Sequence, residues 1–420
     1  MKLGSEDYSP GLLKKIEYAG GNHRSFETGA ESLLRLAEFP ISAKHVERLT
    51  ERLGKERAAA RDQSAAAMEA RQLRSKYKQA PAVAVISVDA GKAQFRTEDL
   101  GPGVHSPRWG DTKAACLQTY SNVEYTADPR PEPPKAFLEP KRVERLCREM
   151  ACVRGIHGDP SAKDKDATKD KLIDDGKTRK SKKKKRRSKR PRRLVRTVVA
   201  TTQGVEAFGW MLSAEAMSRK MYAAKKRAIV GDGGNWIEPL GQLHFPDWIQ
   251  ILDFLHLLVH LFAAARMAHI GDAKAAWTLY EQMLRDAWAG RVQEVIDALQ
   301  SRLRRLKGDA ASEARRVVEL TIGYVERNRE RMDYPRYRQL GLPVGSALVE
   351  SLIKQINHRV KGSEQFWNGG GLEAILQVRA AYLSQDDRAE KHHDQRPRGP
   401  AVGGNRAVSR SRDGTFQSAK

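Results

Sequence analysis

The chain has 420 residues, a formal net charge of +24 and a pI of about 10.0. It is long enough for two or three domains with a sizeable core, and its charge favours nucleic acid as a partner. The longest apolar stretch is interrupted by Asp253, His256 and His260, and the first residues lack the apolar core of a signal peptide. Three cysteines form no CxxC pair, which is typical of reduced thiols. We therefore expect a cytoplasmic protein without a membrane span.

Residues 1–78 have apolar residues at helical spacing and predict a helical region. A break at FPIS is followed by Ser42, a residue suited to cap a second helix that carries Lys44 and Arg48. A helix, a short turn and a basic helix are typical of a DNA-binding helix-turn-helix, whose DNA contacts would include Lys44 and Arg48. A purely structural helical hairpin has the same pattern, so both interpretations stay open at this point.

Residues 79–157 change to strand-forming sequence. AVAVISV is a β-branched run suited to a buried central strand, and Asp89 with the following Ala-Gly predicts a turn. KAQFRTED and KAACLQTYSNVEY then predict a second and a third strand, which would complete an antiparallel meander. A proline-rich segment leads to a short helix around VERLCREM.

Residues 158–193 are charged and of low complexity, and we expect a disordered basic insertion that contacts phosphates non-specifically. Its last part, KTRKSKKKKRRSKRPRR, carries 13 basic and no acidic side chains. Residues 194–256 then predict a strand, a helix and two further strands, RAIVGDG and WIQILDFLH. Residues 257–342 predict helices followed by a loop, RMDYPRYRQLGLPVG, and residues 343–387 a helix pair. The tail 388–420 is predicted to be disordered.

Two acids follow strand-type runs. Asp89 ends AVAVISV, and Asp232 ends RAIVG and precedes two glycines. If the two strands are adjacent and parallel, both carboxylates lie at one edge of the sheet, where hard oxygen ligands would suit divalent metal ions. The alternative is that each acid belongs to an ordinary Asp-Gly turn at the end of a strand.

A third acid, Glu350, lies in the first or second turn of a predicted helix beginning after Gly345 and Ser346. The helical face of Glu350 continues with polar and basic side chains that would suit a metal site beside a DNA backbone: Lys354, Asn357 and Lys361, with Arg359 close by. An exposed helix carrying salt bridges would have the same pattern.

The segment LDFLH places Asp253 at the end of a strand and His256 three residues later. This pair could orient a scissile phosphate. His256 and His260 are also four residues apart on a predicted helix, a spacing compatible with zinc, although no cysteine or HExxH motif accompanies them. A buried core histidine is the alternative for His260.

Several long segments together resemble the ISKra family of bacterial insertion-sequence transposases, from about Ile41 to Asp387 and in the family's order. The longest and most specific of them is GLPVGSALVESLIKQINHRVKG around Glu350. The other segments that carry the resemblance are VDAGKAQFR, GVHSPRWGDTKAACLQ, PRPEPPKAFL, YAAKKRAIVGDGGNW, ILDFLH, ERNRERMDYPRYRQL, GSEQFW and EAILQVRAAYLSQDD.

The resemblance implies a DDE transposase with an RNase H-like core, an α/β fold in which a mixed sheet is flanked by helices. Asp89, Asp232 and Glu350 match the DDE triad, and Asp253 with His256 matches a DxxH motif shared with the Mutator-like elements. The 118 residues that separate Asp232 from Glu350 then correspond to an all-helical insertion. The basic run at 177–193 departs from the family but touches no matched catalytic position.

The same resemblance implies two Mg²⁺ ions, which Mn²⁺ can replace, on Asp89, Asp232 and Glu350. The substrates would be the terminal inverted repeats of the element and target DNA, and joining two ends requires a homodimer or a higher oligomer, associated with the bacterial nucleoid. Two rivals remain open: another RNase H-fold nuclease, such as a junction resolvase, and a transposase-derived DNA-binding protein without catalysis.

Overall fold

The computed structural model describes residues 8–96, 108–150, 191–308, 311–345, 347–361 and 365–396. Most of the predicted basic insertion and the end of the predicted tail, 158–190 and 397–420, lie outside the described residues. No helix of the described part is long and apolar enough to cross a bilayer. The class is α/β, as predicted, with a five-stranded open sheet of mixed direction flanked by helices.

The strands are β1 (Val83–Phe95), β2 (Arg108–Tyr120), β3 (Arg193–Thr201), β4 (Lys226–Gly231) and β5 (Ile249–Leu252). Their order in the sheet is β3-β2-β1-β4-β5. β1, β2 and β3 pair antiparallel, whereas β4 and β5 continue the sheet parallel to β1. Chain connections of helical length join the parallel strands, as such pairings require.

The predicted turn at Asp89 is wrong, because β1 continues through it without a break. β2 pairs with β1 along its whole length and places Thr112 opposite Gly91, so the ladder of backbone hydrogen bonds replaces the local turn. KAQF is therefore the second half of β1. The antiparallel meander exists, but its third strand is β3, on the far side of the basic insertion.

The helices of the described part alternate with these strands and cover both sides of the sheet. In chain order they are α1 (Pro10–Asn22), α2 (Phe26–Ala37), α3 (Ala43–Glu69), α4 (Pro140–Glu149), α5 (Val205–Ser218), α6 (Ile237–His244), α7 (Phe254–Ala268), α8 (Ala273–Trp288), α9 (Val292–Leu303), α10 (Ser312–Asn328), α11 (Tyr334–Gln339), α12 (Ala347–Val360), α13 (Gly369–Leu383) and α14 (Arg388–Gln395).

Ser42 caps α3 as predicted, and its hydroxyl accepts a hydrogen bond from the His45 amide. Two other expectations are corrected. A short helix, α11, occupies the predicted loop 331–345; it is capped by Asp333 and has a proline in its first turn. Helix α14 occupies the first part of the predicted disordered tail.

Alternation along β1 divides the core into two layers. Val83 and Val85 pack on the side of α7, whereas Ala84, Ile86 and Val88 pack on the side of α5 and α6. Because both faces are covered, the parallel strands carry apolar residues at nearly every position. Helices α8, α9 and α10 extend the first layer away from the sheet, and the aromatic residues Tyr280 and Trp288 of α8 are part of this core.

Helix α12 lies on the sheet beside β1 and β2. Its stripe Val349, Leu352, Ile356 and Val360 is buried against small residues of β1, β2 and β3. Small side chains in the strands let the helix approach closely, so the start of α12 is held near the end of the parallel strands.

Helix α14 is held by buried ion pairs, and this explains why a polar sequence is ordered there. Glu17 of α1 is 0 % exposed; it accepts hydrogen bonds from Arg57 of α3 at 2.7 and 2.9 Å and lies 2.8 Å from the His393 ring of α14. Arg388 pairs with Glu215 of α5, and Arg396 with Glu56 of α3. A charged segment without an apolar face predicts disorder, because the sequence pattern does not reveal ion-pair partners that are distant in the chain.

Replacing Glu17 with Gln should destabilise the fold by about 3–5 kcal/mol, because Arg57 would keep a buried charge without its partner. Urea unfolding measures the change. A matched control is Glu31→Gln, which removes a surface pair with Arg35 and should cost about 0.5 kcal/mol or less. Equal losses in the two variants would contradict the assigned role of Glu17.

The same carboxylate predicts an acid limit. Burial would raise the pKa of Glu17, but hydrogen bonds and charge from His393 and Arg57 lower it from 4.5 to about 2. A lowered pKa contributes stability above the ordinary value and loses it as the pH falls through the folded value. The stability difference between the wild-type protein and Glu17→Gln should therefore shrink between pH 4.5 and pH 2, as urea unfolding at a series of pH values would show.

Candidate active site

Three aspartates lie in one row at the carboxyl edge of the parallel strands. Ser87 of β1 is opposite Val230 of β4, and Asp89 and Asp232 each lie two residues further along. Gly231 is opposite Leu252 of β5, and the next residues are Asp232 and Asp253. The strands of Asp89 and Asp232 are adjacent and parallel, which is the condition under which the sequence placed both carboxylates at one edge of the sheet. The same register adds Asp253 to the row.

Side-chain parity places the three aspartates on one face. In β1, Asp89 shares the alternation of Val83 and Val85, which pack toward α7. In β4, Asp232 shares that of Val230, and Ile251 of β5 packs in the same layer. Since alternate residues of a strand point to the same face, this edge of the sheet concentrates acidic groups on the side of α7.

Each carboxylate is oriented by a local backbone amide. Oδ1 of Asp89 accepts from the Ala90 N–H at 2.7 Å, and Oδ1 of Asp232 accepts from the Gly234 N–H at 3.0 Å. Asp253 caps α7, where its Oδ1 accepts from the Leu255 N–H at 3.2 Å. These bonds hold acidic groups on a rigid sheet edge, an arrangement typical of metal and phosphate sites.

Asp253 and His256 form a hydrogen-bonded pair. Nδ1 of His256 donates to Oδ2 of Asp253 at 2.5 Å; the Asp253 side chain is 0 % exposed and that of His256 is 16 % exposed. Burial opposes a charge on the imidazole. The hydrogen bond to Asp253 and the negative charges of Asp253, Asp232 and Asp89 outweigh it and raise the pKa of His256 to about 9. The charges of all three aspartates therefore favour the protonated ring.

The chain leading into α12 passes over Asp253. The Phe254 N–H donates to the carbonyl oxygen of Val344 at 3.0 Å, and a Cβ at Gly345 would lie 3.5 Å from Oδ1 of Asp253. Helix α12 begins two residues later, so Glu350 is in its first turn, as predicted. The side chain of Glu350 and the whole of Ser346 lie outside the described part.

Further along α12, Asn357 lies beside β1. A Cβ at Gly91 would lie 3.9 Å from the Asn357 Oδ1 atom, which shows that the helix follows β1 past Asp89. Lys354 is exposed and pairs with Glu149 at 2.9 Å, and the Lys361 ammonium lies over the Trp109 ring at 5.7 Å. These three side chains share the exposed side of α12, where DNA contact stays a prediction.

Arg359 is not on that surface, and its predicted DNA contact is corrected. Its side chain is 1 % exposed, with the guanidinium over the rings of Phe26 and Trp367 and Nε donating to the Gly20 carbonyl oxygen at 2.9 Å. It joins α12 to α1 and α2. Arg359 shares the buried side of α12 with Ile356 and Val360. The helical spacing of the sequence alone did not distinguish this position from the exposed face.

The two basic residues of the N-terminal region lie at the start of α3. Lys44 is exposed and pairs with Glu47 at 2.9 Å, while Arg48 lies 3.0 Å from Nδ1 of His45. The α2–α3 pair is present, but α3 has 27 residues and packs against α13 and α5 along its length. Both the DNA-binding and the purely structural interpretation are compatible with this arrangement.

Two aspartates of the row could contribute oxygen ligands to a metal ion. Asp89 and Asp232 provide hard oxygens side by side, which suit Mg²⁺ or Mn²⁺. Among the described side chains no group of three His, Cys, Asp or Glu residues is placed to hold a metal ion. The His260 ring packs against the helical segment instead, where it stacks on the Tyr324 ring with 3.9 Å between centroids.

Two residues beside the site carried no sequence signal. The Tyr324 hydroxyl donates to the carbonyl oxygen of Asp232 at 2.7 Å, and the Tyr334 hydroxyl to that of Leu252 at 3.1 Å. Both belong to the segment predicted as helices and loop, far in sequence from the strands. A tyrosine in a helix is ordinarily a core residue, so periodicity could not have revealed these contacts.

No protein-family model matches the chain, and no curated protein matches it significantly. The observations that bear on function are therefore the row of carboxylates, the residues around it and the resemblance of the sequence segments to the ISKra family.

The metal-free protein should show an imidazole signal for His256 that titrates near pH 9, followed by NMR. A histidine whose pKa is raised stabilises the fold below its ordinary value of 6.5, and that contribution is lost as the pH rises through 9. Asp253→Asn keeps a capping residue at α7 but removes the charge, so the pKa of His256 should fall. The signal of His244, on α6, serves as the control and should not move. A wild-type midpoint near 6.5 would contradict the assigned pairing.

Proposed function

We propose that the chain is a DDE transposase of a bacterial insertion sequence, with an RNase H-like catalytic core. The observation that carries the proposal is the shared register of Asp89, Asp232 and Asp253 with the first turn of α12 entering beside them. The sheet order, in which three antiparallel strands are followed by two parallel ones, is compatible with that core. The ISKra-like segments support the same assignment independently.

Asp89, Asp232 and Glu350 would hold two Mg²⁺ ions, which supply charge stabilisation to the attacking and leaving oxygens of a phosphodiester. The register brings Asp89 and Asp232 to one edge, and the path of the chain over Asp253 brings the helix of Glu350 to the same place. The carboxylates then serve both steps of the reaction, cleavage at an element end and attack of the new 3′-hydroxyl on target DNA.

His256 has a separate role in the proposal. As a partly exposed cation hydrogen-bonded to Asp253, it would orient a non-bridging oxygen of the scissile phosphate. Asp253 fixes the ring by one nitrogen, which leaves the other to face a substrate. The pair thus positions the phosphate without being needed as a metal ligand.

The partner is double-stranded DNA, both the terminal repeats and the target. A net charge of +24 gives the long-range attraction. Lys354 and Asn357 on α12, and Lys361 just after it, continue the helical face of Glu350 along β1 beyond Asp89. Lys44 and Arg48 lie at the start of α3. We assign all five to the DNA backbone. Joining two ends requires at least a dimer on the DNA.

Replacing Asp89, Asp232 or Glu350 with the corresponding amide should lower metal-dependent cleavage of a terminal-repeat duplex at least about 10³-fold, because each removes a charged ligand of the reaction. DNA affinity should stay unchanged in a gel-shift assay. Asp247→Asn is a matched control, since Asp247 is an exposed carboxylate just before β5, at the opposite edge of the sheet.

The outcomes separate the rivals. Cleavage that needs branched DNA rather than a specific end would favour a junction resolvase. DNA binding without cleavage in either Mg²⁺ or Mn²⁺ would favour a transposase-derived binding protein. Full activity in any of the three amide variants would overturn the site.

A further inference from the structure

The ends of β4 and β5 are covered by the helices that lie between β5 and α12 in the chain. Tyr324 of α10 and Tyr334 of α11 are 6 % and 0 % exposed. Their hydroxyls donate to the carbonyl oxygens of Asp232 at 2.7 Å and of Leu252 at 3.1 Å. One acceptor belongs to an aspartate of the row, and the other directly precedes Asp253.

The strands of the described sheet supply no N–H donor to these two carbonyl oxygens. The Asp253 N–H donates to Gly231 at 2.8 Å, and the next carbonyl of β4 is that of Asp232. β5 is the edge strand, so part of its backbone has no strand partner. Because a buried carbonyl needs a donor, each tyrosine completes the hydrogen bonding of a strand end that carries an aspartate.

The turn after Asp232 is shaped to receive Tyr324. Gly233 has a φ of +80°, a conformation that favours glycine, and a Cβ there would lie 3.0 Å from the Tyr324 ring and 3.0 Å from the Asn328 Oδ1 atom. Asn328 in turn donates to the Tyr324 carbonyl oxygen at 2.8 Å. Helix α10 therefore presses on this turn from one side and fixes the direction in which the Asp232 carboxylate emerges.

Helix α7 locks the same tyrosine from the other side. The His260 ring stacks on the Tyr324 ring, with 3.9 Å between centroids and 18° between planes. One turn earlier, His256 holds Asp253.

We infer that Tyr324 and Tyr334 are positioning residues, through which the helical segment between β5 and α12 sets the placement of Asp232 and Asp253. The inference rests on the proposed function for its consequence in DNA cleavage. In structural terms, the helical segment contacts the backbone of the two strand ends that carry the aspartates. Removing a residue that hydrogen-bonds near a metal ligand or catalytic group commonly lowers metal affinity or activity about 10–100-fold.

The test uses tyrosine-to-phenylalanine variants of the full chain, which delete one hydroxyl and keep the ring. Tyr324→Phe and Tyr334→Phe are compared with Tyr280→Phe. Tyr280 is a matched control because it is also 0 % exposed, lies in α8, and donates its hydroxyl to the Phe137 carbonyl oxygen at 3.0 Å, away from the aspartates. Thermal unfolding should shift by a similar amount in all three variants, since each loses one buried hydrogen bond.

Mn²⁺ affinity is measured without DNA by electron paramagnetic resonance. Tyr324→Phe should weaken it about tenfold, whereas Tyr280→Phe should leave it unchanged. Tyr334→Phe should leave Mn²⁺ affinity unchanged but slow single-turnover cleavage of a terminal-repeat duplex about tenfold, because it acts on Asp253 and His256. DNA affinity should be the same in every variant.

Mn²⁺ affinity of Tyr324→Phe equal to that of Tyr280→Phe overturns the inference whatever the DNA result. Absence of Mn²⁺ binding by the wild-type protein overturns it as well. A wild-type protein that binds Mn²⁺ but cuts no DNA overturns the proposed function, and weaker binding by Tyr324→Phe then still supports the inference.

Discussion

The parallel pairing of β4 with β1 on one side and β5 on the other, in a single register, is the constraint on which the rest of the structure depends. A slip of one residue in either pairing would turn an aspartate to the opposite face of the sheet. Parallel strands must be buried on both faces, and this requires α5 and α6 below and α7 and α12 above. The cover that stabilises the sheet therefore also encloses the row of carboxylates.

Three aspartates at one edge repel one another, and the fold contains specific compensation. His256 brings a positive charge to the buried end of the row, and backbone amides orient each carboxylate. Repulsion between the carboxylates destabilises this end of the sheet when no metal is bound, and the same negative charge would attract divalent cations.

The parts of the site that could be predicted from sequence are those encoded locally. β-branched runs ending in Asp89 and Asp232 predicted the strands. The strand predicted over WIQILDFLH is too long, because β5 ends at Leu252 and α7 begins at Phe254. The continuity of β1 through Asp89 could not be predicted, because it depends on pairing with β2 after an intervening segment.

Helix α14, buried Arg359 and the two tyrosines escaped prediction for a related reason. Glu17 and His393 are 376 residues apart, and Tyr324 and Asp232 are 92 apart. Local hydropathy describes such residues as a polar tail, an exposed cation and ordinary core aromatics. Their roles depend on contacts with residues far away in the sequence, which hydrophobic periodicity does not reveal.

The ion pairs between α14 and the first helices also have a mechanical consequence. They join the two ends of the described chain across α1, α3 and α5, and they attach α3 at its middle, through Glu56 and Arg57. Because α3 is one continuous helix from Ala43 to Glu69, this attachment limits changes in the distance between Lys44 and the row of carboxylates. For an enzyme that cuts DNA, such a spacing works as a ruler: a duplex advances about 3.4 Å per base pair, so a grip at α3 would set how many base pairs separate the recognised sequence from the cut.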